Sequence, residues 1–389
     1  MDTVRLGIIG FGNQGGMYSR ILAAGMVPGM TLGAICDAAP ARREAALEQY
    51  PDVAIFDDVD ALLASDAVDA VVTTVPHYLH PEYAIKALTA GKHTLVDKPA
   101  GVYTKQVRVM NEFAATKPEL TFAIMFNQRT NPLYVDLKTL LDSGELGAIR
   151  HWNWIITTWW RPQGYYLQSA WRATWGGEGG GVLVNQAPHQ IDLSQWLCGM
   201  PTKVFAKLGF GFRRDIAVED EVVAVFDLGD GATGTFTTAV HDPAGTDRLE
   251  ILLDRGKVVV DGSQTVTITR FREAEQDASA SITAEAAKNL FSGENILGDD
   301  FLTTATTTYE SQWGQQHATV LTNFAANILE GTPLIAPGAD GINGVRLANA
   351  MHLSAFLGRE VDIDFSEDDY LTELNARIAA EGKFPLQPQ

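Results

Sequence analysis

The chain has 389 residues, 46% apolar and 20% charged, with a formal net charge of −19, so it is long enough for more than one core and composed like an ordinary globular protein. The acidic balance argues against nucleic-acid binding, which needs clustered Lys and Arg, and Cys36 and Cys198 are too few for a disulfide framework and fit a reducing compartment. No apolar run approaches the roughly 18–20 residues of a membrane span, and MDTVRLGIIGFG opens straight into a strand and a glycine turn rather than signal-peptide anatomy, so a cytoplasmic location is expected.

In chain order, five apolar runs rich in β-branched residues come first: Val4–Ile9, Thr31–Cys36, Asp69–Val75, His93–Val96 and Thr121–Phe126. They lack polar alternation, as strands buried on both faces of a parallel sheet do. Ala- and Glu-rich segments separate them, among them Pro40–Tyr50 and Pro81–Gly91, the latter with Pro in its first turn and Gly at its end. Strand–helix alternation predicts a doubly wound α/β Rossmann domain over residues 1–130.

Beyond about residue 145 the texture changes. Ile149–Trp160, Glu221–Leu228, Gly231–Val240, Leu249–Asp254, Gly256–Gly262 and Gln264–Phe271 read as successive strands, with GDG and DRG as hairpin turns. Residues 131–389 are therefore expected to form an α+β domain on a large, mostly antiparallel open sheet. A long helix is predicted at roughly Tyr309–Leu329, stopped by Gly331 and Pro333. Residues 273–308 give no clear pattern.

The turn Gly10-Phe11-Gly12-Asn13-Gln14-Gly15 follows a strand and opens a helix. Its glycines suit a tight turn, close approach of backbone to a pyrophosphate, and helix–strand packing, while the helix N-terminus offers free N–H groups to phosphate. Asp37 ends the second strand, where a carboxylate accepts hydrogen bonds from ribose hydroxyls and repels a 2′-phosphate; this favours NAD over NADP, with Arg42 and Arg43 softening the preference. Asp97-Lys98-Pro99 ends another parallel strand, where open α/β sheets bind ligands.

Four stretches in this order resemble the Gfo/Idh/MocA oxidoreductases, the glucose–fructose oxidoreductase and inositol dehydrogenase group: GIIGFGNQG, TTVPHYLHPEYAIKALTAGKHTLVDKPAG, WRATWGGEGGGVLVNQAPHQIDLSQWLCGMP and NFAANILEGTPLIAPGADGINGVRLANA. The resemblance implies that Lys98 approaches the reacting oxygen and the nicotinamide ribose, and that Pro99 follows a cis peptide. It also implies that Thr74, Pro76 and His77 run beside the cofactor and that Trp171 and Arg172 lie against its nicotinamide–phosphate end; His80 reads as structural, a cap for the next helix. Asp97 stands where the family carries Glu, and Asn185 where it carries Asp, while His189 and Asp192 match.

Chemically, oxidising a secondary alcohol requires a proton acceptor, for which neutral imidazole suits His189. Lys98 as ammonium stabilises charge on the same oxygen. Asp192 either orients His189 or binds a hydroxyl. Asn185 either binds a hydroxyl or, with Pro188, starts a helix as its N-cap. Tyr165 and Tyr166, in an aromatic-rich stretch, suit the C–H faces of a sugar or core packing, and Arg129 faces the cleft or makes a linker ion pair. A lone His beside a neutral Asn is a poor metal site. The expectation is an NAD-dependent dehydrogenase of a sugar, polyol or inositol, forming a homo-oligomer through its second sheet. Glycoside oxidation at C3 and a non-catalytic NAD-binding sensor are the alternatives.

Overall fold

A computed structural model describes residues 2–292, 295–310 and 314–388. The first sheet contains β1 (Val4–Ile9), β2 (Met30–Cys36), β3 (Ala54–Phe56), β4 (Ala70–Thr73), β5 (His93–Val96) and β6 (Phe122–Ile124). All are parallel, in the order β3-β2-β1-β4-β5-β6, which is the doubly wound arrangement with its switch point between β1 and β4. Val4, Leu6, Ile8, Val71, Val72 and Leu95 are wholly buried, as the unbroken apolar runs require.

The second sheet has nine strands: β7 (Ile149–Ile156), β8 (Lys203–Phe210), β9 (Glu219–Gly229), β10 (Ala232–Ala239), β11 (Asp247–Leu253), β12 (Gly256–Asp261), β13 (Thr265–Phe271), β14 (Leu302–Thr308) and β15 (Val361–Asp362). Their order is β14-β13-β12-β11-β7-β10-β9-β8-β15. Pairing is antiparallel except between β7 and β10. Trp152, Trp154, Phe236, Leu249 and Ile251 project from one face into a core shared with the helices Pro188–Cys198 and Gly341–Leu357. The tryptophans of β7 are thus core residues.

One expectation changes. The late helix spans Gln315–Glu330, not Tyr309 onward; Tyr309 follows strand β14, its N–H on the Gln264 carbonyl, and residues 311–313 lie outside the described residues. Gly331, at φ +74, ends it. This helix also packs Leu321, Phe324 and Ala325 against Val4, Ile8 and Ile21, inside the core of the first sheet.

Candidate active site

β1 ends at Ile9 and a helix starts at Asn13, so Gly10–Gly12 make the turn. At Gly10, φ is +100 and a Cβ would lie 2.6 Å from the Thr74 carbonyl oxygen. At Gly15 a Cβ would lie 2.0 Å from the Gly10 carbonyl oxygen, so the helix sits directly on the turn. Gly12 differs: its Cβ would face open space, with Arg42 Nη1 the nearest atom at 3.9 Å. No side chain caps this helix, which leaves its N–H groups and partial positive charge for an anion. Asp37 is buried; its oxygens accept from Phe11 N and Ala39 N, both at 2.8 Å, and Arg42 Nη1 lies 3.3 Å away. Open space over Gly12, an uncapped helix and an acid at the second strand's end together fit a dinucleotide.

From there a cleft of about 730 Å³ runs from Arg42 and Gly12 to Lys98 and Asn185, with Trp171 and Arg172 on its wall. Asn13, Gln14, Thr74, Pro76 and His77 also line it. Thr74 Oγ1 donates to the Ile9 carbonyl at 3.1 Å, tying the turn to β1. His80 does not cap a helix; its ring nitrogens face the carbonyls of Val75 and Pro99, joining two strand-end turns.

The Lys98–Pro99 bond is cis. Lys98 Nζ donates to the backbone carbonyl of Asn185 at 2.9 Å. Burial pulls its pKa below the usual lysine value, opposed by Asp97 and Glu178. Burial pushes Asp97 up to about 6, opposed by the Lys98 ammonium. His189 lies in the first turn of Pro188–Cys198, four residues after the carbonyl that holds Lys98. Burial first, then Lys98 and His317, hold it well below the usual imidazole value, so it is neutral at pH 7. Its Nδ1 is buried without a hydrogen-bond partner among the described residues.

Other candidates have different occupations. Asp192 is buried and bonded to other partners than His189: Arg129 grips both its oxygens at 2.8 and 2.7 Å, and Gln195 adds a bond at 3.0 Å. Arg129, 2% exposed, also reaches Asp340 Oδ2 at 2.6 Å. It is a buried tie between segments, not a cleft residue. Asn185 lines the cleft but caps nothing, the N-cap being Ala187. Its side-chain amide donates to Glu178, and its Oδ1 accepts from Gln186 at 3.0 Å. The Tyr165 hydroxyl accepts from Arg172 Nη1 at 2.7 Å. Tyr166 instead lines a second cavity of about 710 Å³, which shares Ser169 and Arg172 with the first.

Two residues had no sequence signal. Glu178 is buried and pushed up to about 7, chiefly by desolvation. His317, on the late helix, packs 6.0 Å from the Tyr18 ring; burial and then Lys98 lower it to about 4. A lone acid before glycines and a lone His on an amphipathic helix have no spacing that marks them.

A doubly wound sheet with a dinucleotide turn and a lysine beyond its strand ends, beside a histidine from a second sheet domain, defines the class of nicotinamide-dependent oxidoreductases. The description "Oxidoreductase family, NAD-binding Rossmann fold" matches residues 4–124, and "GFO/IDH/MocA C-terminal domain" matches residues 134–259. The two matches together span more than half of the chain, which belongs to the Gfo/Idh/MocA oxidoreductase family. It is 30% identical over 207 residues to the uncharacterised oxidoreductase YdgJ of Escherichia coli, covering 53% of this chain and 57% of that protein, little more than half of its length. It is 24% identical over 353 residues to the NADP-dependent scyllo-inositol 2-dehydrogenase IolW of Bacillus subtilis, covering 90% of this chain and 93% of that protein. Levoglucosan dehydrogenase in complex with NADH and L-sorbose has a similar fold, with a TM-score of 0.78 at 21% identity over 94% of this chain and 100% of that one. Among the described residues no helix is long and apolar enough to cross a membrane.

Proposed function

We propose that the protein catalyses NAD-dependent, reversible oxidation of a secondary alcohol on a sugar, polyol or inositol. The observation that carries this reading is the Lys98–Asn185 hydrogen bond, which sets an ammonium from the nucleotide half one turn before a neutral imidazole from the sheet half. The nicotinamide ring, when bound, supplies the hydride acceptor. Lys98 donates a hydrogen bond to the reacting oxygen and stabilises the charge that develops there. His189 takes the hydroxyl proton, and its depressed pKa keeps it unprotonated at neutral pH. Asp37 supports NAD as the preferred cofactor; Arg42 beside it opposes a strict choice, and IolW is named for NADP. Buried free thiols at Cys36 and Cys198 suit a cytoplasmic enzyme.

The test follows NADH formation across a panel of inositols, free sugars, polyols and glycosides, with NADP in parallel. Turnover is expected with NAD and a polyol or sugar, and Lys98→Ala is expected to lower kcat by about 10²–10⁴ while the protein still binds NADH. A sensor would bind NADH and turn over nothing. A second reading, oxidation of a glycoside at C3, draws on the second cavity, which gives room beyond a single sugar ring. Activity on glycosides with a flat response to inositols and free sugars would favour it.

A further inference from the structure

We propose that Glu178 is the positioning carboxylate of the reacting centre, joining three walls of the cleft at Lys98. The inference rests on the dehydrogenase reading above. Glu178 is 2% exposed, and each of its acceptor atoms serves a different wall. Oε2 accepts from Ala173 N at 2.6 Å. Ala173 has φ +52, a left-handed conformation that alanine rarely adopts, so this bond secures the turn that presents Trp171 and Arg172 to the cleft. Oε1 accepts from the side-chain amide of Asn185, the residue whose backbone carbonyl receives Lys98 Nζ. The Glu178 backbone carbonyl faces His77 Nδ1 at 3.2 Å, and the His77 ring stands edge-on to Trp171 at 5.7 Å. The chain is held beyond Glu178 as well: a Cβ on Gly179 would fall 2.1 Å from Val102 Cγ1.

An amide in its place could accept only one of these two side-chain bonds, whereas the carboxylate accepts both and adds a charge. A buried charge is costly to keep without a partner, and the partners here are functional ones. Arg172 Nη1 lies 3.8 Å from Oε1, and Glu178 favours the ammonium form of Lys98 against the pull of burial. The amide at 185 follows from the carboxylate at 178: two acids within hydrogen-bonding distance would repel and block each other's ionisation. The charged groups around Glu178 are Arg172, Lys98 and Glu219. Around Lys98 they are Asp97, Glu178, Arg161 and Arg172, with His77, His80, His189 and His317 also within its field.

The experiment uses the full chain with NAD and a substrate that the wild type oxidises. In E178Q, with melting temperature and NADH affinity retained, kcat is expected to fall about 10- to 100-fold. The acid limb of the wild-type kcat profile, expected near the Glu178 value of about 7, disappears, and the basic limb moves to lower pH because Lys98 loses a stabilising charge. E178Q/N185D, which returns a carboxylate to the same hydrogen bond, regains most of kcat. Wild-type kcat and unmoved limbs in E178Q overturn the proposal, as does a folded double variant that regains nothing. Should E178Q not fold, N185L cuts the link while leaving the acid, and an unchanged kcat there overturns it equally. Lys98 ionisation, read by pH-dependent acetylation with acetic anhydride and mass spectrometry, needs no turnover. A shift to lower pH in E178Q beside an inactive wild type sinks the dehydrogenase reading and leaves Glu178's role standing; no shift sinks that role.

Discussion

Arg129 shows how a single residue can be read two ways from sequence and only one way in the fold. Its guanidinium is divided between Asp192 and Asp340, and its charge stacks near the rings of Phe126 and Trp196 at 5.1 and 5.5 Å. Removing one partner strands a buried charge. Arg129→Ala is therefore expected to cost about 3–5 kcal/mol of stability, measured by urea denaturation. An unchanged unfolding midpoint would refute the structural role. Nothing in the sequence joins Arg129 to Asp192, 63 positions apart, and both types suit a hydroxyl-binding site equally well. Lys98 and His189 are singled out by the family resemblance, each where an element ends or begins, and not by local pattern alone. Glu178 and His317 come within the field of Lys98 only in the fold, from positions that no periodicity links to it.

At the scale of elements, the nucleotide turn separates packing from binding within six residues. Gly15→Ala places a methyl on the Gly10 carbonyl and is expected to destabilise the first sheet and lower the melting temperature. Gly12→Ala meets nothing closer than Arg42 Nη1, so it is expected to keep the melting temperature and weaken NADH binding at least tenfold, as fluorescence titration would show. Equal losses of stability in the two variants would remove the distinction. Five of the six parallel strands stand out in the sequence as unbroken apolar runs; β3, only three residues long and partly exposed, does not. In the second sheet, β8 escaped because apolar Phe205 points outward and hides the alternation of Val204 and Ala206. β14, LTTATTT, is exposed along its whole length and pairs its threonine hydroxyls with those of β13, so no burial pattern marks it. Both strands require knowledge of their neighbours.

At the scale of the whole molecule, the outward face of the second sheet carries Ile155, Phe205, Val223, Val225 and Leu252, each 41–49% exposed. Val225 pairs with Phe205, and Val223 with Thr237, which in turn pairs with Ile155. Such a group of exposed apolar side chains on one sheet face favours burial against another protein surface, and the proposed occupant is a second copy of this chain. F205E/V225E is expected to shift the protein toward monomers in light scattering after gel filtration; a wild type that is already monomeric would end this part of the proposal. The opposite arrangement governs the two halves of one chain. The short helix Asn127–Thr130 receives Gln316 through Asn127 and Gln128, and Asp340 through Arg129, so three passages of the backbone between the halves are knotted at one place. Any displacement of the halves must break these bonds or turn close to them, so the opening of the dinucleotide cleft is tied to this one place.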